Sequence, residues 1–349
     1  MCLVLNKPLI GFFNLNHASV IRDARIYLVI VSLGYVFLYL NQVFTGLFTA
    51  MGAGSAVFRS TVVGLVANII LDPLLIFGIG PVPSMGVAGA AIATVFAQEL
   101  VFLMFLRMVH KEDLVFPGVH LLQRSSGGEW RAISRVGTPP ALQNMLFSFL
   151  TMIISRMVAA WGDGAVAVQK VGCRIESISW MTADGFAAAL NAFMAQNYGA
   201  GKKERIRRGY WIGMCLIVCW SAFTTAVRIG FLRPIFGLLI REPGVLSLGV
   251  DYLQILGVAQ IFMCVEIVNA GTFQGLGHAM PSTVCGIVGT VLRIPLALVL
   301  SGTVLGLNGI WWTITISCML KGTAVLLCFL VFLHRFLHTD LSTAQNALR

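Results

Sequence analysis

A chain of 349 residues has room for two or three soluble domains, yet 58% of its residues are hydrophobic and only 11% charged. Soluble chains average about 25% charged residues, so an ordinary globular enzyme is excluded and an all-α, polytopic membrane protein is expected. The net charge of +10 is spread over short loops rather than gathered on a soluble domain, so no nucleic-acid partner is implied.

Met1 to Leu15 is a short apolar piece holding Asn6, Lys7 and Pro8, too short to span a bilayer, and reads as the tail of a helix. Nine full spans are expected after it. They run near Ile26–Met51, Val57–Ile79, Gly86–Val109, Ile133–Trp161, Ala165–Tyr198, Tyr210–Leu232, Leu246–Gly275, Pro281–Leu300 and Ile310–Leu337. A tight turn at Gly80-Pro-Val-Pro83 separates the second from the third, and Pro139-Pro140 opens the fourth. Continuous runs of this length, not short alternating segments, exclude a membrane β-barrel.

The longest polar stretch, 111–129, contains Pro117 and Ser125-Ser-Gly-Gly128 and reads as a linker. It divides an incomplete N-terminal lobe, 1–110, from a C-terminal lobe, 130–337, with a tail at 338–349. Basic residues concentrate on one set of loops: Arg59, then Arg107 to Arg135, then Lys202 to Arg208, then Arg335 and Arg349. The alternate set has Arg22, Arg25, Arg233 and Arg241. The richer side is assigned to the cytoplasm, which places the C-terminus there. Gly201-Lys-Lys-Glu-Arg-Ile-Arg-Arg208 then faces lipid headgroups. The eight cysteines lie nearly all in apolar segments without metal-ligand spacing, and read as small buried hydrophobes. No phosphate-binding glycine loop is present, so direct ATP coupling is not expected.

The most informative stretch is Asn68-Ile-Ile-Leu-Asp72-Pro73. A spacing of four places Asn68 and Asp72 on one helix face, a turn apart. A carboxylate at that depth is expensive and should face a bundle interior or a watery cavity. Pro73 lacks an N–H and clashes with the carbonyl four residues back, so a kink or loosened turn is expected. Softened backbone beside an acid suits a proton or a small cation.

The second half also carries intramembrane charge. Glu266 sits mid-span, where an acid costs roughly +3 kcal/mol, and Arg293 and Lys321 on the next two spans are its candidate partners. The fifth span carries Lys170, Arg174, Glu176 and Asp184, too many charges to face lipid. Arg174 and Glu176, two apart, do not face each other on a helix, so each needs another partner.

A self-comparison reveals an internal repeat. Gly46-Leu-Phe48-x-x-x-Gly52 aligns with Gly271-Thr-Phe273-x-x-x-Gly277, and Gly86-Val-Ala-Gly89 with Gly306-Leu-Asn-Gly309. Both blocks start on the outer side by the charge rule, so the repeats are parallel. Such repeats are a hallmark of secondary transporters. Six spans in the second half imply six in the first, of which about two and a half are missing at the N-terminus.

Taken together, Met51-Gly52, Asn68-x-x-x-Asp72-Pro73, Met85-Gly-Val-Ala-Gly-Ala-Ala-Ile-Ala-Thr94, Val168-Gln-Lys-Val171, Gln196-Asn-Tyr-Gly-Ala-Gly-Lys202 and Phe273-Gln-Gly-Leu-Gly277 resemble the multidrug and toxic compound extrusion (MATE) family. The resemblance implies two six-helix lobes exchanging drug-like substrates for H⁺ or Na⁺, as a monomer in the lipid bilayer and without cofactor. It also implies a cation or proton site at Asp72, Asn68 and Thr94, with no other metal site. Glu266, Glu176, Arg174, Asp184, Gln143, Asn144, Arg293 and Lys321 are the candidates for a substrate cavity. The acid of the family's first helix has no counterpart here. Nor has the acid of its seventh, where Pro139-Pro-Ala-Leu-Gln143-Asn144 offers only amides. Two alternatives stand beside drug antiport: a lipid-linked oligosaccharide flippase, which needs a strongly cationic cavity, and an inactive truncated copy. A membrane enzyme is disfavoured because the six histidines scatter over loops and ends.

Overall fold

The computed structural model describes residues 18–78, 83–111, 127–237 and 243–338. The N-terminal partial helix, the Gly80–Pro83 turn, most of the inter-lobe linker, Arg241 and nearly all of the C-terminal tail lie wholly or largely outside the described residues. Among the described residues there are helices and no strands.

The chain divides into two compact units, Met1–Arg124 and Ser125–Arg349. The first contains α1 (Ala18–Ala50), α2 (Gly54–Phe77) and α3 (Gly86–Lys111). The second contains α4 (Gly127–Ala159), α5 (Asp163–Gly199), α6 (Lys203–Gly230), the short α7 (Leu232–Gly237), α8 (Pro243–Gly275), α9 (Ala279–Val291), α10 (Arg293–Ser301) and α11 (Gly306–His338). Counting α9 and α10 as one interrupted span, the nine expected spans appear in order. Among the described residues eight are long and apolar enough to cross a membrane; α5, with its internal charges, is not among them.

In the first unit α3 packs against both α1 and α2, and a small core of Phe48, Val101 and Phe105 closes one end. The second unit is built around α8, which packs on α5, α11 and α6. Its apolar core is split into two layers. One gathers Leu190, Met194, Tyr210, Ile217, Val268, Phe273, Phe329 and Leu333. The other gathers Ile154, Val168, Phe236, Tyr252, Leu256, Ile310 and Trp311. Along α5, α8 and α11 buried polar residues lie between these layers: Gln169 and Glu176, Gln260, and Thr313, Thr315 and Ser317. Apolar packing thus holds each end of the bundle while a polar belt occupies its middle.

The repeat is visible in backbone geometry. Gly52 and Gly277 both adopt positive φ, 83° and 77°, just past α1 and α8. In each case the following N–H returns to a buried phenylalanine: Ala53 to Phe48 at 2.8 Å, His278 to Phe273 at 2.9 Å. This left-handed C-terminal turn is what a glycine permits. Gly86 and Gly306 open α3 and α11 at φ 53° and 50°.

Pro73 lies inside α2, within the expected span, and the helix runs on to Phe77 and ends at Gly78 in the left-handed region. The proline costs the helix a single bond, to the Ile69 carbonyl. Two local expectations need correction. Pro139 and Pro140 do not open the fourth span but lie inside α4, which begins earlier, at Gly127. The cysteines are also more exposed than expected: Cys264 and Cys318 are buried, but Cys173, Cys215, Cys219 and Cys328 are not.

Candidate functional site

The first unit holds a cavity of about 320 Å³ lined by Asn41, Gln42, Thr45, Thr61, Asn68, Thr94 and Gln98 among apolar neighbours. Its polar side chains are amides and hydroxyls. Asn41 is buried and donates through Nδ2 to the Gln98 carbonyl at 2.8 Å and to Gln98 Oε1 at 3.0 Å, tying α1 to α3. Asn68 lines this cavity and approaches Asp72, Nδ2 to Oδ1 at 3.5 Å, the outer limit of a hydrogen bond. Asp72 itself is half-buried and is not part of the cavity lining. Thr94 lines the cavity from α3 and donates back to the Ala90 carbonyl at 2.9 Å. The helix spacing therefore pairs Asn68 with Asp72, and α2–α3 packing brings Thr94 to the same cavity as Asn68.

The second unit holds a larger cavity of about 500 Å³, within the range of small-molecule sites. Gln143, Asn144, Glu176, Asp184, Glu266, Arg293 and Lys321 all line it, drawn from α4, α5, α8, α10 and α11. Phe147, Trp180, Tyr252, Leu256, Met263 and Ile267 supply an apolar and aromatic wall. Arg174 does not belong to it: the side chain is exposed and outside the lining, because its α5 position faces away from that of Glu176.

Glu266 takes Lys321 rather than Arg293 as its partner, at 3.0 Å with both side chains buried. Glu176 finds Arg228 on α6 at 3.9 Å, and Arg228 Nη2 donates to Gln260 Oε1 at 2.7 Å. Arg293 donates through Nε to Ser317 Oγ at 3.0 Å and through Nη2 to Cys318 Sγ at 3.3 Å. Its guanidinium lies 5.5 Å from the centre of the Phe147 ring. Asp184 is exposed within the cavity lining and forms no ion pair among the described residues.

Arg228 and Gln260 are residues that reading along the sequence passed over. Arg228 is a lone charge inside the apolar run from Tyr210 to Leu232, the same signal that singled out Glu266. Among the described residues no cluster of three or more His, Cys, Asp or Glu could hold a metal ion.

Buried charges of both signs inside a duplicated helical scaffold suit a transporter better than a membrane anchor. The family model MatE matches residues 1–74 and 139–299. The chain belongs to the MatE family of membrane transporters. Among curated relatives, a probable multidrug resistance protein NorM of Thermotoga maritima is 27% identical over 93% of this chain and 70% of its own length. A FAD transporter of Shewanella oneidensis is 29% identical over 74% of this chain and 57% of its own length. The MatE chain described here thus spans between somewhat over half and about two thirds of those two relatives. A MATE crystal structure in the straight conformation superposes with a TM-score of 0.85 at 22% identity, covering 97% of this chain and 76% of that one. That likeness establishes the fold.

Proposed function

We propose that this chain is a secondary active exporter of cationic and amphipathic drug-like solutes, exchanging them for H⁺ or Na⁺ by alternating access in a bacterial inner membrane. The observation that carries the reading is the second-unit cavity, with its aromatic wall and an acid, Asp184, that has no internal counter-charge among the described residues. A flat cation gains from both: ring faces attract positive charge, and a carboxylate neutralises it in a low-dielectric setting. Glu266 is occupied by Lys321, so Asp184 is the acid assigned to the solute's cationic group, with Gln143 and Asn144 as neutral hydrogen-bonding groups on the wall. The name of the Thermotoga maritima relative supports multidrug export.

The coupling ion is assigned to Asp72. Asn68 is positioned to bond the ionised carboxylate, and Thr94 contributes a hydroxyl to the cavity that Asn68 lines. The unit works as a monomer with its C-terminus in the cytoplasm.

Ethidium efflux from a drug-sensitive bacterial host expressing this chain tests the proposal. Faster efflux than a vector control is expected, with Asp184→Asn and Asp72→Asn each abolishing the gain. Efflux equal to the vector control overturns the export reading. Efflux unchanged by Asp72→Asn removes the coupling role of that acid alone.

A further inference from the structure

Among the described residues, every buried charge of the second unit except one has an opposite charge within ion-pair distance. Lys321 is held by Glu266, and Arg228 faces Glu176. Arg293 is buried, 7% exposed, yet no carboxylate lies within ion-pair distance of it among the described residues. It stands mid-span, where Pro295 removes a helical N–H and the helix is interrupted between α9 and α10. Glu176, which Arg228 also faces, is close enough to interact with the charge of Arg293, but no carboxylate pairs with it directly, and a guanidinium at this depth without a direct partner is costly.

Its placement is built rather than incidental. Ser317 Oγ donates to the Gly289 carbonyl at 2.6 Å and accepts from Arg293 Nε, which fixes one edge of the guanidinium. Phe147 covers a face. Nη2 has only a weak sulfur acceptor, Cys318, and Nη1 makes no hydrogen bond among the described residues. The Nη edge is the fork that meets a carboxylate or phosphate in two-point fashion.

We infer that Arg293 is an anion-binding subsite of the second-unit cavity, selecting flat aromatic solutes that carry a carboxylate or a phosphate. This deepens the reading of that cavity as the solute site and rests on it. The solute's ring lies along Phe147 and Trp180 while its anionic group occupies the Nη edge, so the cavity accepts negative as well as positive substituents.

Equilibrium binding to the purified full chain in detergent tests this with matched probes: riboflavin 5′-phosphate against riboflavin, 9-anthracenecarboxylate against 9-anthracenemethanol, and ethidium as the cation. A charge-assisted pair predicts that at least one anion binds about 10-fold or more tightly than its neutral twin. Arg293→Gln should abolish that ratio, so that each anion binds no more tightly than its neutral twin. Arg293→Lys, which keeps the charge and loses the fork, should retain part of it. Preference for only one of the two anions supports the inference and says which source the site takes. Ratios near one in the unaltered chain, or a ratio untouched by Arg293→Gln, overturn it while leaving the cavity reading intact. Failure of every probe to bind, the two anions included, overturns the cavity reading and the inference together.

Discussion

Lys321 Nζ lies 3.0 Å from Glu266 Oε1, bridging α11 and α8 across 55 residues of sequence, with both side chains buried. Removing one member leaves the other as an uncompensated charge, a loss of about 3–5 kcal/mol in buried pairs. Replacing both by apolar residues of similar volume is close to neutral in other buried pairs. Glu266→Gln and Lys321→Met should therefore each lower the melting temperature of the detergent-purified chain strongly. The double variant Glu266→Leu with Lys321→Met should recover most of the loss. Equal damage from the double variant would mean that the pair is not the unit of stability.

The position of Lys321 depends on a glycine. A methyl group added at Gly289 would run into the Lys321 stem, and one at Gly286 into the Gln143 amide. Both glycines lie on the α9 face against which these cavity side chains pass. Gly289→Ala should push Lys321 away from Glu266 and cost about 1–3 kcal/mol, the usual range for overpacking. Gly46→Ala in α1 is the control, since nothing lies within 4 Å of its added carbon. Thermal unfolding of the two variants side by side checks this, and equal midpoints would refute it.

The repeat makes a backbone prediction. Gly277 at φ 77° turns the chain out of α8, and an alanine there pays about 1–2 kcal/mol for the left-handed conformation. Nothing lies within 4 Å of its added carbon, so the cost is purely conformational. Gly277→Asn, which tolerates that region better, should be milder than Gly277→Ala. Thermal shift of the pair measures the difference.

Much of this architecture was legible in the sequence, for reasons that differ by residue. Nine helical units follow from apolar runs near 20 residues, since a bilayer admits little else. The repeated spacing of Phe48 with Gly52 and Phe273 with Gly277 was legible in the sequence, whereas the left-handed turn at each glycine is a feature of the structure. Asn68 and Asp72 pair because the helix period dictates it. Pairings between helices were not legible: Glu266 had two candidate bases, and only packing selects Lys321. Arg174 was grouped with the cavity by its span, although its own position on α5 turns it outward.

Arg228 is the strongest test of what sequence reading passed over. It is 4% exposed, bonded to Gln260 at 2.7 Å and 3.9 Å from Glu176, so it joins α6 to both α8 and α5. Two of its nitrogens, Nε and Nη1, and Glu176 Oε1 have no hydrogen-bond partner among the described residues. The attraction to Glu176 is therefore one of charge, whereas Gln260 fixes the geometry. Groups joined in one network couple by about 0.5–3 kcal/mol in double-mutant cycles. In a cycle of Arg228→Met and Glu176→Gln, the double variant should lose clearly less stability than the sum of the singles. The reason is that each single variant strands a buried polar group and the double strands neither charge. In a second cycle, Gln260→Leu with Arg228→Met should also be sub-additive, since the 2.7 Å bond is lost in either single variant. Strict additivity in both cycles, read from thermal unfolding, would mean that Arg228 holds the three helices by packing alone.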